Sequence, residues 1–430
     1  MKKIFFASAL SLILSHSLFA VGEPTPEQTR FESLSKLTKV IGTVEKYYVD
    51  DIKLQEIVDK ALKGLLQELD AHSSYLDKKA SKEMAIQTQG EFGGLGITVG
   101  MRDGALTVIS PIDGTPAFKA GVKASDIILK IDNSSTINMT LDEAVSLMRG
   151  NPQTDIKLTV VRKGELKPLE IKMKRDIIKI QSVFAKTIEN ENLLYLRIAS
   201  FDTKVTEDLE KVIAENKNAK GLILDLRNNP GGLLSQAIGT VNLFVDKGII
   251  VSQKGRNAED EEKFEAVASK MKTKLPLVVL VNEGSASASE IVSGSLQDHK
   301  RAIIIGEKTF GKGSVQAVLP IENDKSENIK LTIAKYYLPS GRTIQATGVT
   351  PDIVVGSGKV TQDEDNKVKI KEADLKKHLE GELEKTKDVK KEDKAIADEN
   401  KKVLTGEDVL GDNQLNTSIA ILKSLIIMNK

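Results

Sequence analysis

Residues 275–290 read LPLVVLVNEGSASASE. An apolar run from Leu275 to Val281 passes through a turn at Gly284 into three serines, Ser285, Ser287 and Ser289, which alternate with alanines and end on Glu290. The continuation IVSGSLQ reads as a helix. A fully apolar strand that turns sharply into a helix belongs to an α/β core, and at such a corner a serine hydroxyl can be held exposed on a fixed backbone. Flanking segments keep the alternation: NLLYLRIASF (192–201) reads as a strand, TEDLEKVIAENK (206–217) as a helix and AKGLILDLR (219–227) as a strand. The Gly-rich turn NNPGG (228–232) leads into the helix LLSQAIGTVNLF, and RAIIIGE, SVQAVLP and NIKLTIAKYYL add strands further on. Residues 176–355 are therefore read as an α/β core.

Outward from that core the character changes. Residues 89–175 carry short β-rich runs, GEFGGLGITVG, ALTVIS, DIILKIDN and IKLTVVRKG, separated by Gly, Asp and Asn turns. One helix candidate sits among them, TLDEAVSLMRG, where Thr140 as N-cap and Glu143 three residues on make a capping box. Residues 21–88 show apolar side chains at helical spacing, Leu34, Leu37, Val40, Ile41 and Val44, then Ile57, Ala61, Leu62, Leu65, Leu66 and Leu69. This helical region is expected to end at ELDAHSSYLDKKA, with its apolar faces on a core by default and a dimer contact as the other use. Residues 356–430 form a charged tail. Up to 414 it is dense in Lys, Glu and Asp, a linker or solvated helix, whereas NQLNTSIAILKSLIIMNK (413–430) is apolar enough to dock. The fold class is thus α/β and multidomain.

The 430-residue chain has a net charge of +1, no Trp and 4% aromatic residues, which argues against nucleic acid as a partner. Residues 1–20, MKKIFFASALSLILSHSLFA, have the layout of a signal peptide, with Lys2 and Lys3 before an apolar stretch and Ala20 at its end. Leu18 departs from the small residue wanted before a cleavage site, so an uncleaved leader that tethers the protein to the inner membrane is the other reading. With no Cys in the chain there is no disulfide, thiol nucleophile or thiolate metal site. The expectation is an exported, periplasmic protein.

A serine nucleophile needs a proton acceptor. The four histidines offer none. His16 lies in the leader, His378 in the charged tail, His72 in a turn and His299 in what reads as a surface loop. A lysine can serve if burial lowers its pKa from about 10.4 by roughly three units, about 4 kcal/mol. GEKTFGKGSVQ (306–316) supplies Lys312 between Gly311 and Gly313, with Phe310 and Val315 close by. The same stretch has P-loop spacing, but Gly313 stands where the magnesium-binding Ser or Thr is required.

DLRNNPGG, GSASASE and GEKTFGKGSVQ, in that order after a PDZ-like module, resemble the carboxy-terminal processing proteases, also called tail-specific proteases. The resemblance spans about residues 35–355. It implies a serine endopeptidase with a Ser/Lys dyad that cuts proteins near their C-termini, without metal or cofactor. By position it implies Ser287 as nucleophile, Lys312 as base and Gln316 as the residue that helps orient the lysine. The oxyanion donors would be the Ala288 and Gly232 amides. Position alone leaves Ser285 and Ser289 open; the first is most simply a turn residue and the second a packed helix residue. Glu290 reads as a helix cap or support. In the PDZ-like module the loop Gly94, Leu95, Gly96 and Ile97 resembles the carboxylate-binding loop, with Leu95 and Ile97 lining an apolar pocket and the helix Leu141–Met148 opposite. PDZ domains add an extended peptide to a sheet edge and hold its terminal carboxylate on backbone amides. The expected partners are protein and peptide substrates with apolar C-termini. A lipoprotein activator has a place in this scheme, and the terminal apolar segments make a homo-oligomer the expectation. A PDZ scaffold without activity is the competing reading, and the intact set Ser287, Lys312, Gln316 and Gly232 speaks against it.

Overall fold

Leu277–Val281 is an interior strand of a seven-stranded sheet, whose order is 353–354, 303–306, 277–281, 221–225, 193–198, 183–188 and 403–404. Its neighbours run parallel throughout, except for the antiparallel pair Val183–Ile188 and Leu193–Ile198. A parallel strand covered on both faces must be apolar at every position. Leu277, Val279 and Val281 belong to the hydrophobic cluster on one face, and Val278 and Leu280 to the cluster on the other. The unbroken apolar run in the sequence is this double coverage.

The computed structural model describes residues 25–102, 104–321, 326–360 and 402–428. The expected signal peptide lies outside these residues, as does most of the charged stretch of the tail. The chain divides into two compact units, 1–75 and 76–430. The first holds helices α1 (Pro26–Tyr47) and α2 (Leu54–Gln67). A Thr25–Gln28 capping box opens α1. In α2, Ile57 and Leu66 are buried. The apolar side of α1 is not core: Phe31 is 74% exposed and Val40 53%. The default expectation for this face therefore fails, since α1 buries no residue at all.

The second unit opens with α3 (Lys78–Gln89), capped by the Asp77 carboxylate at Ala80 N and closed by Gly90. The helical region thus runs past the ELDAHSSYLDKKA boundary read from the sequence. The β-rich module follows. Strands 97–102, 105–111, 127–131, 155–161 and 169–174 form its sheet, with the short α4 (Pro116–Lys119) and α5 (Leu141–Met148) beside it. Its core, which includes Leu106, Val108, Ile128, Leu158 and Val160, is separate from that of the large sheet. The Thr140–Glu143 capping box forms as the sequence indicates, with Thr140 N donating to Glu143 Oε2 at 2.7 Å.

In the core, α6 (Val205–Glu215), α7 (Leu234–Asn242) and α8 (Ala288–Asp298) cover one face of the large sheet through Leu209, Val241 and Ile291. A second sheet, with strands 314–320, 328–337, 249–254 and 261–265 paired in that order, stands beside it. The hairpin 249–265 has no clear signature in the sequence. After 402 the chain adds a short edge strand, Val403–Leu404, then α9 (Gly406–Leu410) and α10 (Asn413–Met428). The terminal helix docks on the other face of the large sheet, where Leu415, Ile419 and Leu422 meet Ile223, Val278 and Leu280. Arg227 pins it in place. Its guanidinium pairs with Asp225 at 2.6 Å and Asp412 at 2.8 Å, and donates to Gln414 Oε1 at 3.0 Å.

The expected outcome for Leu422→Ala, a fully buried side chain, is a loss of about 3 kcal/mol. It is read as a lower urea midpoint with unchanged m-value. A midpoint equal to wild type would mean that α10 does not cover this face in solution.

Candidate active site

Two turns meet at the carboxyl edge of the large sheet, where parallel strands direct their connections to one side. One follows Gly221–Asp225 and carries Asn228–Gly232; the other follows Leu277–Val281 and carries Ser285–Ser287. Asparagines and serines stitch them together. Asn228 N donates to Asn282 Oδ1 at 2.8 Å, and Asn282 Nδ2 returns a bond to Asn228 Oδ1 at 2.9 Å. Ser285 Oγ donates to Leu226 O at 2.8 Å and Ser289 Oγ to Asn229 O at 2.9 Å, both fully buried. Ser285 is thus the turn residue and Ser289 the packed helix residue that the sequence indicates. Ser287, the third of the set, lines a cavity of about 650 Å³.

The backbone at Ser287 is held in an unusual state. Its φ is +54°, a region that non-glycine residues rarely occupy and that costs of order 1–3 kcal/mol. What holds it is the carboxylate of Glu290, one turn into α8 and 0% exposed. Glu290 Oε2 accepts from Ser287 N at 2.8 Å and from Lys312 N at 2.8 Å. Glu290 Oε1 accepts from Thr309 Oγ1 at 2.6 Å and Gly311 N at 2.7 Å. One buried side chain therefore fixes both the serine corner and the loop that carries Lys312. Phe310 N adds a bond to Ser285 O at 3.1 Å.

Lys312 lines the same cavity as Ser287. Burial lowers its pKa first, and the positive charge of Lys330 lowers it further, against the pull of Glu290. Gln316 also lines the cavity, next to a bulge in the pairing of its strand. Its amide nitrogen is taken up by Ser314 Oγ at 2.9 Å and Thr332 Oγ1 at 3.2 Å, so the structure joins it to these hydroxyls. The segment 306–313 leads from one strand to another, with no helix after it. This rules out a phosphate loop, which requires a helix N-terminus.

The NNPGG turn lies directly on the serine corner. A Cβ at Gly231 would stand 2.9 Å from Ser287 Cβ and 3.0 Å from Ala288 N, so only glycine fits. Gly232 has φ +144°, and a Cβ there would meet Phe201 O at 2.3 Å. Among the described residues, the amides of Gly232 and Ala288 donate to no other group. Two free donors beside a serine hydroxyl can stabilise a developing oxyanion, and the N-terminus of α8 favours negative charge there.

Several cavity residues carry no signal in the sequence. Met84, Gln87 and Thr88 come from α3, Phe264 from the unanticipated hairpin, and Lys330 and Tyr336 from one strand. His299 follows α8 as its C-cap, in a turn as expected, but is half-buried and not a surface residue, its Nε2 2.7 Å from Ile249 O. In the β-rich module, Leu95 is buried in the core at 3% exposure, which leaves the apolar surface beside the loop to half-buried Ile97 and to Leu141 and Val145 of α5. Gly94 closes a strand paired to Asp176. The amides of Leu95 and Gly96 donate to no other group among the described residues, a geometry open to a carboxylate.

Glu290→Gln keeps the shape but replaces one acceptor oxygen by a donor facing backbone N–H groups. Each donor left unpaired is expected to cost about 1–3 kcal/mol, measured by urea unfolding. Below the unfolding range, kcat/KM is expected to fall about a hundredfold through misalignment alone. Wild-type turnover in the folded variant would remove Glu290 from the site.

Comparison with known proteins agrees with this layout. Residues 192–355 match Peptidase family S41, and residues 93–173 match the PDZ domain. A carboxy-terminal-processing protease of Bartonella bacilliformis is 44% identical over 89% of this chain and 89% of its own length. The carboxy-terminal processing proteases CtpA and CtpB of Bacillus subtilis are 38% and 32% identical, over 81% and 76% of this chain and 74% and 69% of their own lengths. The chain belongs to peptidase family S41, among the carboxy-terminal processing serine proteases, and carries a PDZ domain ahead of its protease core.

Proposed function

We propose that this protein cleaves polypeptides near their C-termini with Ser287 as nucleophile and Lys312 as general base. The observation that carries the reading is the shared anchor: Ser287 N and Lys312 N both donate to Glu290 Oε2 while both side chains line one cavity. Ser287 Oγ attacks the scissile carbonyl carbon as neutral Lys312 Nζ takes its proton. The carbonyl oxygen becomes the oxyanion, held by the amides of Gly232 and Ala288. Collapse breaks the C–N bond, and protonated Lys312 hands its proton to the leaving amine. The ester on Ser287 then reacts with water, which Lys312 deprotonates, and the acid product leaves with the serine restored. Gln316 lines the cavity beside Lys312, its amide nitrogen held by Ser314 and Thr332.

Substrate choice follows from the PDZ domain. The free amides of Leu95 and Gly96 receive a terminal carboxylate, and Ile97 with α5 offers an apolar wall to the last side chain. The bilysine leader supports export to the periplasm. The exposed apolar face of α1, with Phe31, Leu34, Leu37 and Val40 each at least half exposed, supports a homo-oligomer.

The test is a cleavage time course with protein lacking residues 1–20, on a peptide with an apolar free C-terminus and on its amidated twin. Wild type is expected to cut, faster on the free acid, while Ser287→Ala loses at least about a thousandfold in kcat. Ser287→Ala turning over at the wild-type rate would sink the dyad. Equal rates on the two peptides would sink the carboxylate reading and leave the dyad standing.

A further inference from the structure

The cavity holds a second lysine that the reaction above does not use. Antiparallel pairing sets Gln316 opposite Thr332 and Val318 opposite Lys330, which places these four on one face of the sheet. Gln316, Val318 and Lys330 line the cavity together with Ser287 and Lys312. No Asp or Glu among the described residues lines it. Two ammonium groups that face one space without a carboxylate between them each make the other's protonated form less favourable.

We propose that Lys330 is a positioning residue for the reaction, whose ammonium in the shared cavity favours the neutral form of Lys312 that accepts the serine proton. This rests on reading Lys312 as the base. Of the other charged and titratable groups around Lys312, one opposes this effect and one is neutral. From α8 comes Glu290, which opposes Lys330, but its two oxygens already accept four hydrogen bonds. From the strand of Lys330 comes Tyr336, which burial pushes up to about 12 and so keeps neutral. Neither α3 nor the turn 230–235 brings an acid or a base to the cavity. The lowering of Lys312 by burial first and Lys330 second agrees with this arrangement.

The sign is definite. Removing a neighbouring positive charge stabilises protonated Lys312, so its pKa rises and neutral base is reached only at higher pH. The measurement is kcat/KM against pH for wild type, Lys330→Gln, Lys330→Arg and Lys312→Met, on a peptide without acidic side chains. Lys330→Gln is expected to move the acid limb up by about half a unit to one unit. That is about three- to tenfold less activity on the limb, with the wild-type plateau regained at higher pH. Lys330→Arg keeps the charge and is expected to keep the wild-type limb. A Lys330→Gln limb at the wild-type position, or an equal loss at every pH in both Lys330 variants, would overturn the proposal. A loss confined to substrates with acidic side chains would overturn it too, in favour of Lys330 as a substrate contact. Wild-type turnover by Lys312→Met would instead sink the base assignment beneath it.

Discussion

The site depends on the Glu290 carboxylate and its four hydrogen bonds. A carboxylate at 0% exposure is costly unless every lone pair has a donor. Here the donors are Ser287 N, Lys312 N, Gly311 N and Thr309 Oγ1, drawn from two loops far apart in sequence. Charge-assisted hydrogen bonds of this kind are about twice as strong as neutral ones. Their combined strength offsets both the buried charge and the φ of +54° at Ser287. The bond geometry also fixes distance, because two backbone amides that share one oxygen cannot drift apart.

Around that anchor the large sheet provides rigidity. Its strands are covered by α7 and α8 on one side and by α10 on the other. Both turns of the site leave the sheet at adjacent strands, so packing on either face bears on their alignment. Arg227 makes the link explicit. It stands just before Asn228 and Asn229 in the turn and pairs with Asp412 at the start of α10. Tyr195 OH closes the network at Asp225 Oδ2, 2.7 Å away. The terminal helix is therefore part of the protease core, although a charged stretch precedes it in the sequence.

What the sequence made legible follows from these physical terms. The α/β alternation, the serine corner and the Thr140–Glu143 cap are local patterns, and each was readable. The choice among three serines was not, since it turns on where Ser285 and Ser289 find acceptors, in Leu226 O and Asn229 O, some sixty positions away. Glu290 read as a cap because its bond to Ser287 N is local, whereas its bonds to Thr309, Gly311 and Lys312 are not. The side of α1 read as core by default because helical spacing shows that a face is apolar and cannot show what covers it. Cavity residues from α3, the hairpin and the strand 328–337 were silent for the same reason.

A lysine base and a buried carboxylate are an awkward pair, because an unshielded negative charge would hold the lysine protonated. The structure separates what anchors Lys312 from what sets its proton affinity. The oxygens of Glu290 face the backbone amide of Lys312, while the side chain of Lys312 enters a cavity that contains no described carboxylate. Position is thus fixed through the main chain, while burial first and Lys330 second lower the proton affinity of the side chain against the pull of Glu290. A histidine base would need neither device, since its pKa already lies near neutrality. On the proposed Ser/Lys reading both are required, which fits a carboxylate engaged by main-chain and hydroxyl donors and a second lysine lining the cavity.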